Sequence, residues 1–398
     1  MADDPLLSAG EAAELLGVSR QTLYAYVSRG LVESRAGPGP SRARRYPRAS
    51  LEALRARRAT PRAEAAAREA IHWGAPVLES SLTLIEDGRC FYRGRDVVAL
   101  SREAGLEEVA ALLWSGDAGD VAALGAWPAV RPRTAGPVAA RLEAHLTAAA
   151  HDGLPPAPGP PTLRAAAAVV AGLFAAAGAR GAGPLAGRLA RGWRAGWAAD
   201  DLRAALVLCA DHELNASAFT ARVVASAGAR LEHALLAALA ALQGRRHGGA
   251  PAAVARMLAD AGRDGPGAAI QRAMDERGAV PGFGHPLYPD GDPRGLELLR
   301  LARAAGARRL AGVEELVGAC AALGLAPDLD LGLVALAEAR RLPPDAPFTV
   351  FALGRSVGWV AHALETIADG RLIRPRARYV GPRPGDATLG AVQATRRR

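Results

Sequence analysis

VPGFGHPLYPDGDPR, residues 280–294, holds one histidine in a stretch that no regular element accommodates. Pro281, Pro286, Pro289 and Pro293 lack a backbone donor, and Gly282 and Gly284 flank Phe283, so helix and strand are both broken. A loop of this kind holds His285 near a ligand, with backbone N–H groups free to face it. A surface turn with an incidental histidine has the same local signature. Two further histidines bear on the choice. His212 lies in CADHELNASAFTAR and His247 in GRRHGGA, each beside small residues that allow close approach of a substrate.

Outward from this loop the chain reads as helix. Residues 102–240 are dominated by Ala and Leu at helical spacing, broken by HDGLPPAPGPP at 151–161, which reads as a loop. Strand signals are confined to PVLESSLTLIEDGRCFYRGRDV, a predicted hairpin turning at Asp87-Gly88. The expected fold is therefore mainly α. In FALGRSVGW, Phe351 and Arg355 lie four apart on one helix face, and Gly354 and Gly358 leave room for a ligand or another helix.

At 398 residues the chain is long enough for several domains. Half of it is hydrophobic, yet no run of about 18 apolar residues is free of charge, so no membrane span is expected. The acidic start MADDPLL lacks the basic region of a signal peptide. Cys90, Cys209 and Cys320 show no metal spacing and cannot all pair, which points to a reducing cytoplasm. HExxH, CxxC and Walker A patterns are all missing, so neither a metal nor a tightly bound cofactor is expected. All 49 basic residues are arginine, which looks like codon bias, so position says more than number. Residues 1–70 carry 12 arginines against 8 acids, and residues 371–398 carry 8 against 1.

The first of these surpluses has a local explanation. Ala12, Ala13, Leu15 and Leu16 predict a short amphipathic helix stopped at Gly17. Ser19 is a good N-cap for a second helix to about Ser28, with Leu23 and Val27 inward. That spacing is helix-turn-helix, with Arg20 and Tyr24 near the exposed start of the recognition helix. Nine arginines and one glutamate follow between Arg35 and Arg62, and Ala43-Arg44-Arg45-Tyr46 resembles the wing of MerR-like domains. Helix spacing, wing and charge together point to duplex DNA, with Arg20, Tyr24, Arg44 and Arg45 as candidate contacts. Small helical modules also serve protein contacts.

The motifs ADHELNAS, HGGA, VPGFGHPLYPDGDPR and FALGRSVGWVAHALE, in that order, resemble citrate synthase and its methylcitrate-forming relatives. The resemblance spans about residues 79–379. It implies a helical large domain (72–244 and 343–398) and a small domain (245–342), and it does not cover the 1–58 module or the 59–71 linker in front of them. It also implies a homodimer and the condensation that feeds the tricarboxylic acid cycle, acetyl-CoA with oxaloacetate giving citrate and CoA. The catalytic positions would be His247, His285 and Asp330. His212, Arg294, Arg355 and Arg374 would hold oxaloacetate, Arg374 reaching into the partner subunit, and Phe351 would line the acyl pocket. Glu79, Ser80, Thr83, Tyr92, Arg93 and Gly94 match a structural segment.

Departures from the pattern are local. Arg245-Arg246 replaces proline-leucine, Pro251 replaces asparagine, Asp328 stands where asparagine is usual, and Leu331 stands where phenylalanine is usual. In an extended segment Asp328 and Asp330 would face the same way. Two other readings stay open. The enzyme could use propionyl-CoA as a 2-methylcitrate synthase, or the chain could be a DNA-binding regulator whose synthase-like part senses oxaloacetate or acyl-CoA.

Overall fold

The computed structural model describes residues 5–28, 32–36, 44–52, 78–125, 127–128, 135–150, 160–244, 247–377 and 379–381. The 59–71 linker and most of the 151–161 loop lie outside the described residues. The chain forms two compact units, Met1–Glu79 and Ser80–Arg398.

In the first unit, α1 (Ala9–Leu16) starts on a capping box between Ser8 and Glu11 and ends at Gly17, whose φ of 60° suits glycine. Ser19 Oγ accepts the Thr22 N–H at 3.1 Å and so caps α2 (Arg20–Ser28), as the sequence implied. Three short strands, β1 (Leu6–Leu7), β2 (Arg35–Ala36) and β3 (Arg44–Pro47), pair antiparallel in the order β1-β3-β2. Ala12, Ala13, Leu16, Leu23, Val32, Tyr46 and Leu51 form its core. Among the candidate DNA contacts, Arg44 is exposed on β3 and Arg45 is half-buried. Arg20 is exposed, with its guanidinium lying back toward Gly10. The side chain of Tyr24 lies outside the described residues.

The second unit opens with a small sheet, β4 (Thr83–Glu86), β5 (Arg89–Tyr92) and β6 (Arg95–Asp96), the first two joined at Asp87-Gly88 as expected. Helices follow: α3 (Val97–Glu103), α4 (Leu106–Ser115), α5 (Val121–Leu124), α6 (Val138–Ala150), α7 (Pro160–Ala176), α8 (Leu185–Gly192) and α9 (Ala199–Cys209). Then come α10 (Ala216–Ser226), α11 (Leu231–Leu242), α12 (Ala250–Asp264), α13 (Pro266–Arg277) and α14 (Pro293–Gly306). The last are α15 (Ala311–Ala321), α16 (Leu329–Arg340) and α17 (Ala346–Asp369).

Helix α17 is the spine of this unit. Pro347 sits in its first turn, Gly370 ends it in the left-handed region, and Thr349 to Ala363 are all buried. A helix buried all round needs neighbours that approach closely, and its glycines provide for one. The Gly358 N–H donates to the Ala210 carbonyl at 2.9 Å, and a Cβ there would overlap that carbonyl and the Asp211 carboxylate. The room that Gly354 and Gly358 leave is therefore taken by the end of α9. Glycine sets a second crossing, where a Cβ at Gly295 of α14 would overlap the Asp328 carbonyl at the head of α16. These two crossings bring Arg355, Arg294 and Asp330 into one neighbourhood.

Candidate active site

The 280–294 loop is zipped onto residues 326–328. Gly284 N–H donates to the Ala326 carbonyl (2.9 Å), Asp328 N–H to the Gly282 carbonyl (2.9 Å), and Asp292 N–H to the Pro327 carbonyl (3.0 Å). Backbone donors of the loop are thus used to hold it, so the expectation that they would face a ligand needs correcting for Gly284 and Asp292. The N–H of Leu287 bonds to His285 Nδ1 at 3.2 Å. Because that nitrogen accepts, the neutral ring carries its proton on Nε2.

Three imidazoles meet around this loop. His212 and His285 stack edge-on with ring centroids 5.4 Å apart, and Tyr288 lies 5.7 and 5.1 Å from them. The Tyr288 hydroxyl is 3.0 Å from His212 Nε2, and burial raises its pKa so that the phenol keeps its proton. His247 packs edge-on against Phe351 at 6.0 Å, and the Arg355 guanidinium covers the Phe351 ring at 4.6 Å. Burial lowers all three histidines, helped by Arg355 at His247 and by Arg294 at His212 and His285. His247 falls to about 4. All three are therefore neutral near pH 7.

His247 is oriented by groups the sequence reading placed near His212. Asn215 caps α10, its Oδ1 accepting the N–H groups of Ser217 and Ala218, both at 3.1 Å. Ser217 Oγ takes the Trp359 indole N–H at 3.0 Å and lies 2.7 Å from Asn215 Oδ1 and 2.8 Å from His247 Nε2. When the single Ser217 proton points to His247, the ring is protonated on Nδ1 and can donate from there. The N–H groups of Gly248 and Gly249 donate to the Leu242 and Gly244 carbonyls. Arg245 and Arg246 lie outside the described residues.

The cations are buried. Arg294 forks onto Asp292 (Nε to Oδ1 3.0 Å, Nη2 to Oδ2 2.6 Å), while its Nη1 is buried with no partner among the described residues. Burial works against its charge, but Asp292 more than offsets this and the pKa is raised. Arg355 donates Nε–H to the Cys209 carbonyl at 2.9 Å, and burial lowers its pKa. Two such guanidiniums with spare donors are arranged for an anion.

Asp328 and Asp330 are not on an extended segment. Asp328 is the N-cap of α16 and accepts the N–H groups of Asp330 (2.8 Å) and Leu331 (3.2 Å). The Asp330 carboxylate, in the first helical turn, accepts no hydrogen bond among the described residues. Burial and the nearby Asp328 push its pKa well up, against Arg294 and Arg355. Leu331 is fully buried, and at Gly282 a Cβ would lie 3.1 Å from the Leu331 Cβ, so this side chain packs in the core. Arg374 is not brought to the site within its own chain. It is exposed in the segment after α17.

A buried relay supports the segment bearing His212. Arg222 Nε–H donates to His362 Nδ1 (2.8 Å), and His362 Nε2 lies 3.2 Å from Asp211 Oδ1. Thr83 Oγ donates to Asp211 Oδ2 (2.5 Å), and Tyr92 Oη bonds the Asp211 N–H and carbonyl, each at 3.0 Å. Arg222 also pairs with Glu365. Ser80, Thr83, Tyr92 and Arg93 are thus structural, as expected. Tyr288, Trp359, His362, Asp211 and Asp292 were missed. Trp359 and His362 had a signal, because they follow Arg355 at helical spacing.

Residues 182–376 match the citrate synthase C-terminal domain family, and residues 6–59 match a helix-turn-helix domain family. Residues 182–376 are thus similar to the citrate synthase family. Citrate synthase of Haloferax volcanii is 41% identical over 194 residues, covering 46% of this chain and 51% of that one. 2-Methylcitrate synthase 2 of Corynebacterium glutamicum is 35% identical over 188 residues, covering 46% and 49%. The chain thus matches about half the length of these curated relatives. The crystal structure of citrate synthase from Thermotoga maritima superposes with a TM-score of 0.64 at 25% identity, over 78% of this chain and 94% of that one. That of Pyrobaculum aerophilum gives 0.64 at 26%, over 80% and 93%. The fold is that of citrate synthases, preceded by a helix-turn-helix domain.

Proposed function

We propose that the protein condenses an acyl-CoA with oxaloacetate. The observation that carries this is Asp330, a carboxylate that accepts no hydrogen bond among the described residues and lies within the influence of two buried guanidiniums, Arg294 and Arg355, in the unit that also gathers three neutral imidazoles. Condensation requires removing a weakly acidic proton beside a thioester, and Asp330 is the base for it. His247 donates from Nδ1 to the enolate oxygen, and His285, through Nε2–H, polarises the ketone and stabilises the new alkoxide. Arg294 and Arg355 hold the carboxylates of oxaloacetate with His212 beside them. The enolate carbon bonds to the ketone carbon, and water then cleaves the thioester to release the CoA thiol. Residues 245–342 form the small domain in this reading, closing over the substrates.

Phe351, edge-on to His247, marks the acyl end, where acetyl and propionyl groups would be told apart. Thiol release measured with acetyl-CoA and with propionyl-CoA, each with oxaloacetate, tests the reaction and ranks the two. No release with either would favour a regulator that only senses these ligands. The buried, unpaired Cys90, Cys209 and Cys320 suit a cytoplasmic setting.

Arg374 supplies a third cation to the site of a neighbouring subunit in a homodimer. Its exposure after α17, away from its own site, favours this. Mixing an Arg374→Ala chain with a His285→Ala chain should restore part of the activity, because one site of each mixed dimer is intact. Verified mixed dimers without recovery would place the whole site in one chain.

The first unit binds duplex DNA through α2 and the β2–β3 wing. Gel-shift affinity should fall with salt at a log–log slope of roughly 0.9 per phosphate neutralised. Arg44→Ala with Arg45→Ala should weaken binding to all sequences alike, whereas Arg20→Ala should change sequence preference. No binding at low salt, even with oxaloacetate or acyl-CoA present, would make this unit a protein-contact element.

A further inference from the structure

Asp328 places a carboxylate at the cap of α16, two residues before the proposed base. Its structural task does not require that charge. It caps α16 through two backbone N–H groups, and asparagine or serine would accept them as well. What the carboxylate adds is a second negative charge beside the proposed base.

The charges facing Asp330 can be counted. The start of α14 presents Asp292 and Arg294, already paired with each other, and α17 presents Arg355. From α12, Val254 approaches Gly282 beside this turn, and it is apolar. The 3-10 turn Ala307–Leu310 meets α16 at its far end, where Arg309 Nη1 lies 3.5 Å from the Ala339 carbonyl. His212, His247 and His285 are neutral. Within one chain, with every carboxyl ionised, these two arginines stand against three aspartates, a sum of −1 before the cation proposed to come from the neighbouring subunit is added. A neutral cap would bring that sum to zero.

We propose that Asp328 is a positioning residue that acts on the base from the helix cap. It aims Asp330 into the site and opposes its ionisation, so condensation switches on at higher pH than it would with a neutral cap. This rests on Asp330 being the base of the proposed reaction. Burial pushes both carboxyls up, and Asp328 adds to the rise at Asp330. The sign follows. A base with a raised pKa is protonated, and idle, until the pH passes it, so removing the neighbouring charge extends activity toward acid.

The test is the pH profile of kcat/KM for the acyl-CoA in wild type, Asp328→Asn and Asp328→Ser. Both variants keep a capping side chain, and if one fails to fold the other carries the test. The acidic limb should move down by about one pH unit in each. A limb that stays in place overturns the proposal. A measurement independent of turnover is the number of protons taken up when oxaloacetate binds at neutral pH, from calorimetry in buffers of different ionisation enthalpy. Wild type should take up more than either variant, and equal uptake would also overturn it. If wild type releases no thiol from either acyl-CoA, the proposed reaction fails, while proton uptake still decides whether the two carboxyls share a proton.

Discussion

Asp330→Asn is expected to lower thiol release by about 10²–10⁴-fold while oxaloacetate still binds. The substitution is close to isosteric and removes only the ability to take a proton. Its neighbours should tolerate it, because among the described residues the carboxylate accepts no hydrogen bond that an amide would lose. The dicarboxylate donors, Arg294 and Arg355, lie on α14 and α17 and are held by Asp292 and the Cys209 carbonyl, not by Asp330. Oxaloacetate affinity measured by calorimetry should therefore change little while single-turnover condensation collapses. Losing both together would mean that Asp330 builds the pocket instead of acting as base. Should Asp328→Asn prove the crippling change and Asp330→Asn the mild one, the two aspartates would exchange roles. The cap geometry argues against that, since Asp328 Oδ1 is already committed to two backbone donors.

What could be read from the sequence divides along physical lines. Features with a local cause were legible: the Ser19 cap, the stop at Gly17, the turn at Asp87-Gly88, and the shared helix face of Phe351 and Arg355. His212 and His285 lie edge to edge and His247 packs on Phe351, whereas Arg374 lies exposed after α17. Features that depend on which elements cross were not legible. Gly358 could equally have faced a ligand, and only the close approach of α9 decides that it faces Ala210. The same holds for Ser217, which is near His212 in sequence but hydrogen-bonds His247, 30 residues on. Asp328 and Asp330 were read as sharing a face if extended, whereas the cap starts the helix at Leu329. Tyr288 went unnoticed because its contacts with His212 and Arg294 come from the folding of the loop, not from any spacing.

Arg294→Met is expected to have two large effects that a second substitution should separate. The first is on stability. Asp292 is wholly buried and its carboxylate is forked by Arg294, so removing the guanidinium leaves a buried charge without its partner, which typically costs about 3–5 kcal/mol. The second is on binding. Nη1 of Arg294 is a buried donor with no partner among the described residues, and one hydrogen bond to a charged group contributes about 1.5–3 kcal/mol, or roughly 10- to 150-fold in affinity. Asp292→Asn combined with Arg294→Met removes both charges at once. Asparagine can still cap α14, where Asp292 Oδ1 now accepts the Arg294 N–H at 3.0 Å. Thermal melting should therefore show the single variant well below wild type and the double variant largely recovered. The KM for oxaloacetate should stay raised in both, because the donor is absent in both. A double variant that recovers its KM along with its melting temperature would show that Arg294 serves only to neutralise Asp292. The dicarboxylate would then rest on Arg355.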